Sequence, residues 1–115
     1  MKIGVILPLT GPSAVIGEWN KNGIEIALEM TGLNNKIDII YEDSKNDPKT
    51  GISAFNKLTS INNSNLVISS LSGISVPLIP LSKTNKTPLF LLMVSYPDIT
   101  KQSEYCFRYH VTSRQ

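Results

Sequence analysis

Hydroxyl-bearing side chains recur where the apolar segments of this chain end. Residues 10–13 (TGPS) follow the first apolar run, residues 69–73 (SSLSG) follow a second, and Ser95 opens a polar turn after a third. Hydroxyls and the free amides of a helix start suit a small anion such as a carboxylate, because the amides point at it and the helix dipole favours its charge. The pattern therefore predicts a binding site.

The same loops lack the residues that catalysis requires. They supply no obvious general base, nucleophile partner or metal cage, so we expect neither an enzyme nor a resident metal or cofactor. For any single serine, a role in a cap or turn is the commoner explanation. Three such loops at one sheet edge favour binding, and that edge would present Thr10, Ser13, Ser70, Ser72, Ser75 and Ser95.

Composition narrows the class of protein. At 115 residues and a formal net charge of +2, the chain is one domain with scattered lysines, which does not favour nucleic acid as a partner. Cys106 has no second cysteine to pair with, and with the lone His110 it makes no metal-ligand set. We interpret Cys106 as a buried filler and His110 as a packed imidazole. No signal peptide is visible, because Pro8 and Gly11 interrupt the first apolar run.

The elements that position these loops follow from periodicity. Short β-branched runs predict strands at residues 3–7, 36–43, 66–68, 89–94 and 105–111. Helices are predicted at residues 17–31, ending at Gly32, and from Asp47-Pro48. Ser75 would cap a further helix over 76–84, bent or tightened by Pro80, and a helical turn is expected at 99–103. The predicted apolar faces are Ile16, Trp19, Gly23, Ile24, Ala27 and Leu28 in the first helix, and Ile52, Ala54, Phe55, Leu58 and Ile61 in the second.

Alternating strands and helices predict an α/β fold. Right-handed crossovers give a three-layer αβα sandwich around a mostly parallel, doubly wound sheet of about five strands in flavodoxin-like order. Loops after the strands then meet at the crevice where strand order reverses. A receiver domain would need acidic residues after the first strand, and Gly11 and Gly17 do not fit a dinucleotide fingerprint. A small flavodoxin-like flavoprotein stays as an alternative.

The chain resembles the type I periplasmic solute-binding proteins, in the leucine/isoleucine/valine-binding branch that serves ABC transporters. The similarity spans nearly the whole chain, and its first and second segments are fairly specific as a pair. Family members are much longer and close two lobes on a ligand, so the resemblance implies that residues 1–115 are the amino-terminal part of lobe 1. The matching segments are IGVILPLTGPSAVIGEWNKNGIEIALE, IIYEDSKNDPKTGISAFNKL, VISSLSG, TPLFLLMVSYPDIT and FRYHVTSRQ.

The resemblance also implies which residues form this lobe's half of the site. The loop after the third strand would hold the ligand carboxylate, and the loop after the fourth would offer a carbonyl to the ammonium and the Ser95 hydroxyl to the carboxylate. Ile16 stands where the family often places an aromatic, with Trp19 as a substitute one turn along. Gly73 replaces a common serine, and Met93 and Val94 are bulkier than usual, which reshapes the pocket. The implied ligand-binding residues are Ile16, Trp19, Ser72, Gly73, Ile74, Ser75, Met93, Val94 and Ser95.

A function follows as an expectation. The resemblance implies a periplasmic or extracellular protein, lipid-anchored in some versions, that captures an amino acid or similar small carboxylate for a membrane permease. A ligand-sensing domain of a receptor or regulator with the same fold is the alternative. Since part of a lobe leaves apolar surface uncovered, we also expect this fragment to self-associate.

Overall fold

A computed structural model describes residues 1–94 and 104–109. In these two segments, strands alternate with helices along the chain, as the periodicity predicts. The elements are β1 (Lys2–Leu7), α1 (Ala14–Thr31), β2 (Asp38–Asp43), α2 (Pro48–Ser60), β3 (Leu66–Ser70), α3 (Ser72–Ser75), a 3-10 turn (Val76–Leu78), α4 (Ile79–Asn85), β4 (Leu89–Leu92) and β5 (Cys106–Tyr109). The helical turn predicted at 99–103 lies outside the described residues.

The sheet confirms the predicted doubly wound order. Its described strands run β2-β1-β3-β4-β5, and every pairing is parallel. Strand order reverses between β1 and β3, because the chain first moves to β2 and then crosses back. The carboxyl ends of the described strands, and the described loops that leave them, therefore lie at one edge of the sheet.

Local signals account for where α1 and α2 begin and end. α1 ends at Gly32 in the left-handed conformation (φ 70°), as predicted, but starts at Ala14, three residues earlier than expected. Asp47 caps α2 by accepting a hydrogen bond from the Thr50 amide (3.0 Å), and Pro48 takes the first helical position. The prediction that Ile61 packs in the core is wrong: α2 ends at Ser60, and Ile61 is 71% exposed.

One face of the sheet carries the main core. Because side chains alternate along a strand, Ile6 and Val67 share this face, where α2 and the helical stretch 72–85 cover them. Gly4 allows a close approach here, since a Cβ on it would lie 2.7 Å from Leu58 of α2. Cys106 is buried against the same cluster, as predicted. The cluster comprises Ile6, Ala54, Phe55, Leu58, Val67, Ile74, Leu78, Ile79, Leu89, Leu91, Val94 and Cys106.

The opposite face is covered by α1 over β1 and β2. Gly17 makes this contact possible, because a Cβ there would lie 2.1 Å from the Pro8 carbonyl oxygen. The predicted inner face of α1 is wrong in part: Trp19 (64% exposed), Gly23 and Ala27 face solvent. The helix meets the sheet along a narrow strip only, so fewer of its apolar positions are buried than the periodicity predicts.

Beyond α1, this face of the sheet is open among the described residues. Phe90 of β4 and Phe107 of β5 pair in register and stack with ring centroids 5.5 Å apart. They are 40% and 46% exposed, and Ile68 and Leu92 beside them are half-buried. The αβα arrangement is therefore complete over β1 and incomplete over β4 and β5.

Candidate functional site

The loops after β1 and β3 and the first two residues after β4 lie together at the carboxyl edge of the sheet. The Leu71 amide donates a hydrogen bond to the Leu92 carbonyl (3.1 Å), which joins the ends of β3 and β4. The Ser70 hydroxyl donates to Asn20 Oδ1 (2.7 Å), which places the end of β3 against α1. The sequence-based expectation that these junctions converge is confirmed for the described loops.

The loop after β1 is held by Asp43 at the end of β2. Its carboxylate accepts from the Leu9 amide (2.9 Å), the Thr10 hydroxyl (2.6 Å) and the Lys45 amide (2.8 Å). Burial alone would raise the pKa of Asp43, but these hydrogen bonds, that of Thr10 foremost, bring the pKa below its ordinary value. The Thr10 hydroxyl thus fixes its own loop and has no proton left to offer a ligand.

The helix after β3 begins earlier than predicted. Ser69 and Ser70 belong to β3, Leu71 adopts φ 75°, and the helix starts at Ser72. The prediction that Ser75 caps a helix over 76–84 is wrong. The 3-10 turn at Val76–Leu78 lies just before Pro80, which agrees with the expected tightening there.

Ser75 lies inside the protein and not at the edge. It is fully buried, and its hydroxyl oxygen lies 2.8 Å from that of Ser69, also buried. The expectation that Ser75 donates to a ligand is contradicted by this placement. Two buried hydroxyls satisfy each other here because β3 and the first turn of α3 face one another across the core.

The turn at Ser72 presents the strongest set of donors. The first main-chain bond of the helix runs from the Ser75 amide to the Leu71 carbonyl (2.9 Å), so the amides of Ser72, Gly73 and Ile74 precede it and lack an intrahelical acceptor. Gly73 is exposed, and nothing lies within 4 Å of where its Cβ would stand. Ile74 contributes only this amide, since its side chain is buried in the core.

The end of β4 contributes backbone to the same edge. Met93 has φ 57° and a 41% exposed side chain, whereas the Val94 side chain is fully buried. Val94 can therefore present only main-chain atoms. Ser95, the third member of this predicted loop, and His110 lie outside the described residues.

α1 places its two predicted residues differently. Ile16 is half-buried and one turn before Asn20, so both lie on the side of α1 that meets the end of β3. Trp19 lies on nearly the opposite side of the helix from Gly17 and faces solvent. The structure thus places Ile16 beside the candidate site and Trp19 away from it. The Asn20–Ser70 contact was missed, because nothing in the local sequence pairs residues fifty positions apart.

Other kinds of site find little support among residues 1–94 and 104–109. These residues contain no group of three His, Cys, Asp or Glu side chains placed to share a metal ion. None of the described helices combines the length and the apolar character that a bilayer crossing demands. Burial raises the pKa of Cys106, with a smaller opposing effect of Arg108, so its thiolate is disfavoured.

Comparison with known proteins identifies the class. The family model described as "Periplasmic binding protein" matches residues 1–115, and the chain belongs to that family. Among curated relatives, the Leu/Ile/Val-binding protein BraC3 of Rhizobium johnstonii is 31% identical over 105 residues, which is 87% of this chain and 29% of the relative. The Leu/Ile/Val-binding protein homolog 2 of Brucella abortus is 38% identical over 80 residues, which is 65% of this chain and 22% of the relative.

Solved structures share the fold. A solute-binding protein of an ABC transporter from Rhodopseudomonas palustris, in complex with 3,4-dihydroxybenzoic acid, superposes with a TM-score of 0.91 at 24% identity over 97% of this chain and 32% of its own. The protein LivJ from Streptococcus pneumoniae, in complex with isoleucine, superposes with a TM-score of 0.88 at 19% identity. The match covers 97% of this chain and 34% of LivJ. The matches thus cover about a fifth to a third of the length of these proteins.

Proposed function

We propose that this chain is the amino-terminal part of lobe 1 of a solute-binding protein that captures a small carboxylate for an ABC-type membrane permease. The observation that carries this proposal is the turn at Ser72. Three amides without intrahelical acceptors and one hydroxyl stand there beside the end of β4, in a chain that matches the periplasmic binding protein family throughout. Such a protein binds its solute and leaves it chemically unchanged.

The ligands named for related proteins support a carboxylate as the recognised group. The relatives are named for leucine, isoleucine and valine, and the structural neighbours hold isoleucine or 3,4-dihydroxybenzoic acid. These molecules share little except a carboxylate. We assign that group to the Ser72 hydroxyl and the amides of Gly73 and Ile74, because oriented N–H groups stabilise an anion.

The rest of the ligand would lie toward β4 and α1. A main-chain carbonyl at Met93 or Val94 would accept from an ammonium group, and the Ser95 hydroxyl would donate to the carboxylate. Ile16 would pack on the apolar part of the ligand. The Met93 side chain narrows the site relative to a small residue and selects among side chains of different bulk.

A titration of the ¹⁵N-labelled chain tests this assignment. Leucine, isoleucine and 4-hydroxybenzoate should each move the amide resonances of residues 72–74, whereas leucinamide, which lacks the carboxylate, should not. Because one side of a two-lobed site buries little of its ligand, we expect a dissociation constant in the millimolar range or above, which corresponds to a binding free energy of about −4 kcal/mol or weaker. Micromolar binding would contradict the idea that a second lobe is needed.

A pair of serine variants sharpens the test. Ser72→Ala should weaken carboxylate binding severalfold, while Ser53→Ala on the exposed side of α2 should leave it unchanged. The assignment would be overturned if leucinamide shifted the amide resonances of residues 72–74 as much as the carboxylates do. It would also be overturned if the carboxylates left these resonances unchanged up to their solubility limit.

The cellular setting is proposed from the family alone. A solute-binding protein of this class works in the periplasm or outside the cell, free or lipid-anchored, where it meets its permease. A ligand-sensing domain of a receptor or regulator would use the same site, and its gene would adjoin a kinase or DNA-binding segment in place of a permease. Family membership favours solute binding over a flavoprotein, which would be yellow when purified.

The open face over β4 and β5 supports self-association of this chain. Phe90 and Phe107 form an exposed stacked pair next to the half-buried Ile68 and Leu92. Light scattering should show a mass that rises with concentration, and Phe90→Gln with Phe107→Gln should lower it toward the monomer. A monomer at all concentrations would contradict this proposal.

A further inference from the structure

The outer side of α1 carries an apolar stripe that packs against no other described element. Val15, Trp19, Ile26 and Met30 are 49%, 64%, 55% and 82% exposed. At 100° per residue they fall within an arc of about 60°, on the side of the helix away from Gly17. A solvent-facing helix side normally carries polar residues, so four large apolar side chains in one stripe mark a contact surface.

An acidic row borders this stripe on one side only. Glu18, Glu25 and Glu29 follow one another at helical spacing along that border. Glu25 accepts a hydrogen bond from the Tyr41 hydroxyl (2.6 Å), whereas Glu18 and Glu29 are exposed and have no partner among the described residues. The nearest cation along the helix, Lys21, lies over the Tyr41 ring, 4.9 Å from its centroid.

The opposite border of the stripe is uncharged. Gly23 and Ala27 are exposed there, so a partner can approach the helix closely on that side. The outer side of α1 is therefore asymmetric, with carboxylates along one border and small residues along the other.

We propose that this outer side of α1 docks an amphipathic segment of another protein, one that carries Lys or Arg beside its apolar side chains. The apolar stripe supplies the contact area, and the unpaired carboxylates of Glu18 and Glu29 select a cationic border. The proposal does not depend on the proposed ligand site, because the two surfaces share no residue that either requires.

Charge disfavours the two simplest other occupants. An anionic membrane surface would be repelled by the acidic row. A second copy packed antiparallel on the same stripe would set the two acidic rows against each other, and a parallel copy would set each row against an uncharged border. A cationic segment is the occupant that satisfies both the stripe and its charged border.

Trp19 gives this proposal a direct readout, since it is the only tryptophan in the chain. An 18-residue synthetic helix with a leucine face flanked by lysines is the probe, and the same helix with glutamates replacing the lysines is its control. The lysine helix should shift the Trp19 emission to the blue in a saturable titration, more strongly at low salt. The glutamate helix should leave the emission unchanged.

Variants distinguish docking on α1 from nonspecific hydrophobic binding elsewhere on the protein. Ile26→Gln with Met30→Gln should weaken the binding of the lysine helix at least about tenfold, because two contact side chains are lost. Glu18→Gln with Glu29→Gln should weaken it severalfold and flatten its salt dependence. Ile61→Gln, at a similarly exposed apolar position just after α2, should change nothing, and circular dichroism should show each variant folded.

Several results would overturn the proposal. The lysine helix could leave Trp19 unchanged, both helices could bind alike, or the Ile26/Met30 variant could retain full affinity. A blue shift that follows protein concentration without peptide would identify a second copy as the occupant. A shift with anionic phosphatidylserine vesicles stronger than with the lysine helix would identify a membrane.

Discussion

On one face of the sheet, α2 and the helical stretch 72–85 pack a large apolar core against β1, β3 and β4, whereas on the other face α1 covers a smaller apolar strip and adds polar contacts. The first face buries Phe55, Leu58 and Leu91 completely. The second buries Val5 and Leu7 of β1 and adds hydrogen bonds between α1 and the sheet. The difference indicates that the first face supplies most of the stability, and that the second positions α1 at the candidate site.

The largest expected effect contrasts two phenylalanines. Phe55→Ala on the covered face should lower the free energy of unfolding by about 3–5 kcal/mol, because it empties a fully buried site. Phe107→Ala on the open face should cost less than about 1 kcal/mol. Urea unfolding measures both, and equal losses would show that the two faces contribute alike.

Two glycines within α1 test how closely this helix packs against the sheet. Gly17→Ala should cost about 3 kcal/mol, since its Cβ would stand 2.1 Å from the Pro8 carbonyl and the backbone must shift. Gly23→Ala in the same helix meets nothing within 4 Å and should stabilise by about 0.5–1 kcal/mol. The midpoint temperatures of the two variants should shift in opposite directions. A Gly17→Ala variant as stable as the wild type would refute the close contact between α1 and the Pro8 carbonyl.

The buried hydroxyl pair Ser69–Ser75 beneath the covered face should act as a unit. Ser75→Ala leaves the Ser69 hydroxyl buried without its partner and should cost about 1.5 kcal/mol. The double variant Ser69→Ala, Ser75→Ala should cost less than the sum of the two single changes. Additive losses in a double-mutant cycle would mean that the two hydroxyls are not coupled.

The smallest expected effect is a pH dependence on the α1 side. The folded-state pKa of Asp43 is depressed, so its contribution is present above the unfolded-state pKa of about 4 and is lost as pH falls through the folded value. Asp43→Asn should therefore be less stable than wild type at neutral pH and lose less stability on acidification. Chemical unfolding of the wild type and of Asp43→Asn between pH 7 and pH 3 measures this difference.

Asp47 adds to the same acid sensitivity on the covered side. Its pKa is lowered by hydrogen bonds from the Thr50 side chain and amide. Asp43→Asn alone should therefore not abolish the loss of unfolding free energy on acidification. If the free energy of unfolding of Asp43→Asn fell with pH as steeply as that of the wild type, this carboxylate would not stabilise the loop before α1.

How far the sequence predicts this molecule varies with the range of the interactions involved. The Asp47-Pro48 start of α2 and the Gly32 end of α1 were predicted correctly, because each depends on a few adjacent residues. The inner face of α1 was predicted poorly, since periodicity identifies apolar sides but not which of them meets the sheet. Trp19 belongs to the stripe that the sheet leaves exposed.

The candidate site shows the same division. Its location at the carboxyl edge follows from strand order, and the turn at Ser72 and Gly73 was anticipated. Ser75 was misassigned because a serine before a helix and a serine inside one look alike in sequence. Only the packing of α3 against β3 placed its hydroxyl on Ser69.

By itself the sequence determined the α/β order, the parallel sheet and the edge at which the loops meet, because these depend on periodicity, helix termini and the handedness of crossovers. Only the tertiary structure decided which hydroxyls face the interior, which side of α1 is left exposed and how much of the sheet is covered. Those outcomes depend on contacts between residues far apart in the chain, and no local pattern encodes them.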